Sequence, residues 1–246
     1  MRIYSDAKAE TGEIRISKPI QSLFITSEQT LFGMSGVTIS AFIEKTNGNT
    51  DLLVQFPLKQ LLLLQTFGNP AIAPFLPTDA LTSGIVELSE SGAIHLNENE
   101  SIKISVSGLD PLKNLTIYAI EDPILTNEIY NFERKVVLSE EQTRKFDVSH
   151  NDMISIDNAS NTLKDVVFHY MNGTSNKLEA IELTALSIDI DPNAVTDDTG
   201  AIWNVGNKGI TYLPIVLPLN GVSAIEFNKN VGGALPFYLR TEILNQ

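Results

Sequence analysis

The chain has 246 residues, 43% of them hydrophobic and 19% charged, enough for one large domain or two small ones burying roughly 70–75% of the unfolded surface. Its 17 basic and 30 acidic residues leave a net charge of −13. That is the opposite of the basic face on which phosphate neutralisation depends, and it argues against direct sequence-specific nucleic-acid binding. Cysteine is absent, which excludes disulfide scaffolds, thiolate zinc sites, thiol nucleophiles and iron–sulfur clusters while leaving the compartment open.

In chain order, the first 17 residues carry no apolar run of signal-peptide length. Period-2 alternation then dominates. Ile14 and Ile16 alternate with Glu13, Arg15 and Ser17, and Val37, Ile39 and Ala41 alternate with Thr38 and Ser40. Such alternation predicts half-buried antiparallel strands. Asn47-Gly48 supplies a hairpin turn. Residues 57–67 read as a helix that opens on Pro57 and stops at Gly68, with Pro70 beyond. The apolar stretch containing it, residues 56–77, is interrupted by Lys59, Gln60, Gln65, Asn69 and four prolines, so no membrane-spanning helix is expected.

Further strands are predicted at residues 102–106 and 115–117, flanked by Ser91-Gly92 and Ser107-Gly108 turns. A second, solvated helix is expected at residues 139–145, where Ser139 and Gln142 form a capping box. Asn172-Gly173 and Asn220-Gly221 mark two more turns. Between them, Ile181, Leu183 and Ala185, and then Leu186, Ile188 and Ile190, alternate with polar residues and read as strands. Many short strands separated by Gly/Asn turns indicate an all-β sandwich architecture with a few short helices.

The most informative feature is a weak internal duplication. Leu23-Phe24-Ile25-Thr26 followed by Val37, Ile39 and Ala41 matches Val167-Phe168-His169-Tyr170 followed by Ile181, Leu183 and Ala185. Residues 93–99 match residues 224–230, with a shift 13 residues smaller. The difference falls where the first half carries its leucine-rich helix, and the second half reads as lacking a counterpart. The boundary then lies near Asp122-Pro123 with a linker over residues 124–131. This gives two halves, 1–125 and 126–246, each near the size of one eight-stranded jelly roll.

Catalytic chemistry is sparse. His95, His150 and His169 are far apart in the sequence and lack ligand spacing. Gly33-Met34-Ser35-Gly36-Val37 misses the nucleophile-elbow pattern at its last position and precedes a strand. Asp189, Asp191, Asn193, Asp197 and Asp198 resemble the opening of a calcium loop, but Ala194 and Gly200 break the pattern. They read as an acidic rim loop, with an irregular Ca²⁺ site between subunits as the alternative. Trp203, the only tryptophan, offers little for stacking a sugar. No catalytic, cofactor-binding or metal-binding residue is expected, and no cofactor.

The strand at residues 36–45, the Asn47-Gly48 turn, the strand at 51–56 and the helix at 58–67, with the strand repeated in the second half, resemble the double jelly-roll major capsid proteins of tailless, membrane-containing bacteriophages, in particular corticovirus-like and related single-stranded-DNA phages. The resemblance implies two consecutive jelly-roll β-sandwiches and a non-enzymatic structural virion protein made in the host bacterial cytoplasm. It further implies a homotrimer with six similar lobes that tiles an icosahedral shell over an internal membrane, against neighbouring capsomers and penton or minor capsid proteins. Arg2 and Lys8 would be available to anionic lipid headgroups, although two basic residues near a terminus more simply form a solvated tail. A receptor-binding spike or a lectin-like binding module is the alternative function.

Overall fold

The computed structural model describes residues 1–66, 82–158, 160–190, 195–196, 202–203, 215–230 and 232–245. The first half runs β1 (Arg2–Asp6), β2 (Ile14–Ile16), β3 (Ser22–Ser27), a short 3-10 turn (Phe32–Met34), β4 (Thr38–Lys45), β5 (Gly48–Pro57) and helix α1 (Leu58–Thr66). It continues through β6 (Thr82–Glu87), β7 (Ala93–Ile94), β8 (Ser101–Ser107) and β9 (Leu115–Ile120). After the two-residue β10 (Leu125–Thr126) come β11 (Glu128–Val137), β12 (Thr143–Asp147), β13 (Met153–Ile156), β14 (Leu163–Tyr170), β15 (Ser175–Glu179) and helix α2 (Ala180–Ile190). Short β16 (Val195–Thr196) and β17 (Ile202–Trp203) precede β18 (Ile215–Pro218), β19 (Val222–Lys229) and β20 (Leu235–Leu244).

Leaving aside the two-residue strands, each half supplies eight strands, and the two sets are wired identically. In the first half the order is β1-β9-β3-β6 in one sheet and β2-β8-β4-β5 in the other. In the second half it is β11-β20-β13-β18 and β12-β19-β14-β15. Both sets therefore pair their first, eighth, third and sixth strands, and their second, seventh, fourth and fifth. This is jelly-roll wiring, used twice. The two rolls share an eight-stranded sheet, because β5 of the first and β11 of the second meet in a parallel bridge at Leu53 and Phe132.

Alternation does what the sequence requires of it. In β4, Ile39, Ala41 and Ile43 are fully buried while Thr38, Ser40 and Phe42 face outward half-buried. In β8, Ile102, Ile104 and Val106 face the core in the same way, while Ser101 and Lys103 on the other face are buried too, Lys103 in ion pairs with Glu13 and Glu44. The turn after β8 needs glycine: Gly108 has φ +80°, and a Cβ there would overlap the Gly36 carbonyl. One apolar cluster fills the first roll and extends into the junction, and a second fills the interior of the other roll around Phe227, Phe237 and Leu239.

Four expectations are corrected. Residues 139–145 do not form a helix; a turn leads into β12, which pairs along β19 from Thr143 to Asp147. Glu141 rather than the Ser139–Gln142 pair closes the turn: its carboxylate accepts the Leu138 N–H at 2.9 Å and binds Arg144 at 2.6 Å. Residues 180–190 form α2, not two strands, so the second roll does have a helix at the place α1 occupies in the first. The matched segments are consequently not equivalent. Leu23–Thr26 lies in a third strand and Val167–Tyr170 in a fourth, while residues 93–99 begin in β7 and 224–230 lie largely in β19. Finally, the expected linker at 124–131 is strand from Glu128 onward.

Candidate assembly surfaces

The junction between the rolls is built around α1. Leu58, Leu61, Leu62, Leu63 and Leu64 are all buried, and so are Gln60 and Gln65. A helix buried on every side is covered by more than its own sheet. Here it packs on β5, β6 and the 3-10 turn of its own roll and on β13 of the other. Phe132, Met153, Val216 and Tyr238 of the second roll join the same apolar cluster as the α1 leucines. Phe56 meets Phe132 edge-on at 5.8 Å and Tyr238 at 5.2 Å between centroids.

Several polar groups at and beside this junction are paired, although Gln60 Oε1 and Asp152 Oδ1 are buried without a hydrogen-bond partner among the described residues. Gln60 Nε2 donates to Asp157 Oδ2 at 3.1 Å, and Asn131 Nδ2 to the Asp51 carbonyl at 2.8 Å. Arg240 places Nε and Nη2 on Asp152 Oδ2 at 2.9 and 2.6 Å, and its guanidinium lies 4.3 Å over the Tyr130 ring. Burial pulls the Arg240 pKa down, but hydrogen bonding to Asp152 and its charge leave it raised. Burial pushes both neighbouring phenols up; Tyr238 reaches about 12, with Asp157 adding to the effect. Lys59 is lowered by burial, against the opposing pull of Asp157.

Two faces elsewhere correspond to the halves of this junction. On the second roll, α2 buries Leu183 and Ser187 but leaves Ile181 72% and Leu186 39% exposed. An apolar depression beside it is lined by Leu178, Leu186, Leu217 and Pro218. On the first roll, the outward face of β1-β9-β3-β6 carries Phe24 and Tyr118, whose ring centroids are 5.9 Å apart, with Ile85 opposite Phe24 and Arg2 opposite Tyr118. Phe24, Ile85 and Tyr118 are half-buried. β1 ends its sheet and β15 ends another.

The residues singled out in the sequence do not converge. Arg2 begins β1, while Lys8 lies beyond it, exposed and paired with Asp6 at 2.6 Å; that hydrogen bond raises the Lys8 pKa. His95 is half-buried after β7, and its backbone N–H donates to the Thr126 carbonyl. His150 is exposed, and His169 Nε2 lies 4.0 Å from Glu226. Among the described residues no group of three or more His, Asp or Glu side chains could hold a metal ion. Gly33 and Met34 lie in the 3-10 turn, Met34 is buried, Ser35 is exposed and β4 follows, so that motif is a turn leading into a strand. Asp189 falls in the last turn of α2, while 191–194 and 197–201 lie outside the described residues, as do Gly68 and Pro70. Only the backbone of Trp203, in β17, is described. Among the described residues no helix is long and apolar enough to cross a membrane.

No protein-family model matches the chain. No curated relative matches it either. Solved structures do. The major capsid protein P2 from Bacteriophage PM2 superposes with a TM-score of 0.57 at 10% identity, over 99% of this chain and 96% of that one. The mavirus major capsid protein covers 99% of this chain and 86% of its own at 7% identity, with a TM-score of 0.32. The Faustovirus major capsid protein covers 61% of this chain and 40% of its own at 9% identity, with a TM-score of 0.31. Only the first score bears on the fold, which is the double jelly roll.

Proposed function

We propose that the chain is a viral major capsid protein, a structural rather than catalytic subunit of the virion. The observation that carries this reading is the end-to-end likeness to the PM2 capsid protein: 99% of one chain and 96% of the other share a doubled roll, with neither roll missing. Function does not follow from fold in general, but a doubled roll has a geometric use. Three copies place six similar lobes around one axis, and such a unit packs hexagonally into a shell. The unit is a homotrimer whose rolls divide at 125/126, and its partners are neighbouring capsomers and penton or minor capsid proteins. The shell is icosahedral and encloses a membrane, whose anionic lipids the coat contacts peripherally. Synthesis takes place in the host bacterial cytoplasm. An acidic chain with net charge −13 keeps unassembled subunits soluble.

Negative-stain electron microscopy of the purified protein tests the reading. Three-fold particles with a hexagonal, six-lobed outline are expected. Single globules or three-lobed knobs would overturn it in favour of a spike or a sugar-binding module.

A further inference from the structure

We propose that Asn220 is a modification site of this chain: it deamidates spontaneously into the backbone of Gly221, while two other Asn-Gly pairs are held back by the fold. The sequence carries Asn47-Gly48, Asn172-Gly173 and Asn220-Gly221, all six residues exposed. The chemistry open to each is the same. The glycine backbone nitrogen attacks the asparagine Cγ, a C–N bond forms and the Cγ–Nδ2 bond breaks. The proton given up by the glycine nitrogen leaves with the departing ammonia, and a five-membered succinimide remains. Water then opens the ring at either carbonyl, to aspartate or to isoaspartate. The sum is asparagine plus water giving acid plus ammonia, with no redox change and no reactant beyond solvent. A glycine puts no side chain in the way of its own nitrogen, so the local sequence favours all three pairs alike.

Hydrogen bonding separates them. The attack needs a glycine N–H that is free to lose its proton and a carboxamide that is free to turn its Cγ towards it. Asn172 lacks both. Its Oδ1 accepts the Thr174 N–H at 3.0 Å and the Thr174 hydroxyl at 2.7 Å, and the Gly173 N–H donates to the Tyr170 carbonyl at 3.0 Å. Losing that proton means losing the bond as well. Gly48 is already a ladder residue of β5, paired with Lys45 where the two-residue loop closes. Asn220 and Gly221 instead form the centre of the turn from β18 to β19, which the Val222 N–H closes on the Leu219 carbonyl at 2.9 Å. The Gly221 carbonyl is tied to the Met171 N–H at 2.9 Å. Among the described residues, the Gly221 N–H donates to nothing and the Asn220 carboxamide has no hydrogen bond. The products change this turn. Isoaspartate routes the main chain through Cβ and adds a carbon between Leu219 and Val222, although the Leu219 N–H is also fixed on the Asp152 carbonyl at 2.8 Å. Either acid sets a carboxylate beside the apolar depression lined by Tyr170, Leu217 and Val222. The change accumulates with the age of a subunit and falls on the second roll alone.

Peptide mapping of the purified full-length chain, incubated at mildly alkaline pH, tests this. Trypsin cuts after Lys45, Lys59, Lys164, Lys177, Lys208 and Lys229, which places the three pairs on separate peptides, 46–59, 165–177 and 209–229. Mass spectrometry should find acid and isoaspartate at residue 220 forming roughly five to ten times faster than at 172 or 47, the factor that one retained hydrogen bond gives. Comparable rates at the three positions, or a lead at 172 or 47, would overturn the proposal. Repeating the incubation in denaturant separates the fold from the local sequence. The three rates should converge once the chain is unfolded. A lead at residue 220 that persists there would overturn the assignment of protection to these hydrogen bonds.

Discussion

The two helices occupy the same place in the wiring and live in opposite surroundings. α1 brings a run of four leucines, Leu61 to Leu64, all 5% exposed or less, and closes a junction between two rolls of one chain. α2 brings Ile181, Leu183 and Leu186, of which only Leu183 is fully buried. A helix takes its stability mainly from the face it packs. The difference therefore measures how much of each helix already has a partner within the chain. In the first roll the partner is the other roll. In the second, part of the helix surface is apolar without being covered by the residues that cover α1.

Four substitutions sharpen or break that contrast. The largest effect is expected from Leu62→Ala, which leaves a cavity between the rolls and should cost about 2–5 kcal/mol in chemical denaturation; a loss no greater than at an exposed site would mean that α1 does not hold the junction. Tyr238→Phe should act through pH. The Tyr238 pKa is 10.0 when unfolded and about 12 in the fold, so the folded state binds the proton more tightly. Stability is intact below pH 10 and declines as the pH rises towards 12, by roughly 2–3 kcal/mol from this group. The variant should show a shallower alkaline decline, and an unchanged slope would remove Tyr238 as its source. Gln60→Ala deletes the hydrogen bond to Asp157 across the junction and should cost about 1 kcal/mol, read as a lower urea midpoint. Ile181→Ala, on the exposed helix, should stay within about 0.5 kcal/mol in the isolated chain; a loss matching Leu62→Ala would erase the contrast between the helices.

The β architecture was readable because half-buried strands declare themselves through alternation, as in β4 and β8, and because Gly48 and Gly108 take the positive φ their turns require. The site of α1 was readable from its leucines. α2 was not, because its first seven residues, Ala180 to Leu186, place apolar side chains everywhere but at Glu182 and Thr184, a spacing that suits a strand as well as a helix. Tertiary contacts decide it: Leu183 and Ser187, one helical turn apart, are both buried, and Ser187 Oγ accepts the Val216 N–H at 3.0 Å. Start signals at 139–145 pointed to a helix, yet pairing with β19 captured that segment as strand. The duplication was real in wiring but misaligned in sequence, since alternating apolar residues match any strand to any other. The junction could not be seen at all. Gln60 and Asp157, which bond across it, are 97 residues apart, and no local pattern links them.

The central claim is that α1 joins the two rolls of one chain into a single body, the unit from which the proposed six-lobed ring is built. A cryo-electron-microscopy reconstruction of the purified assembly tests it most directly. The account predicts a three-fold ring of six lobes in which α1 of each copy lies between its two rolls, against β13. A particle without six lobes, or one whose α1 lies away from the second roll, would contradict it.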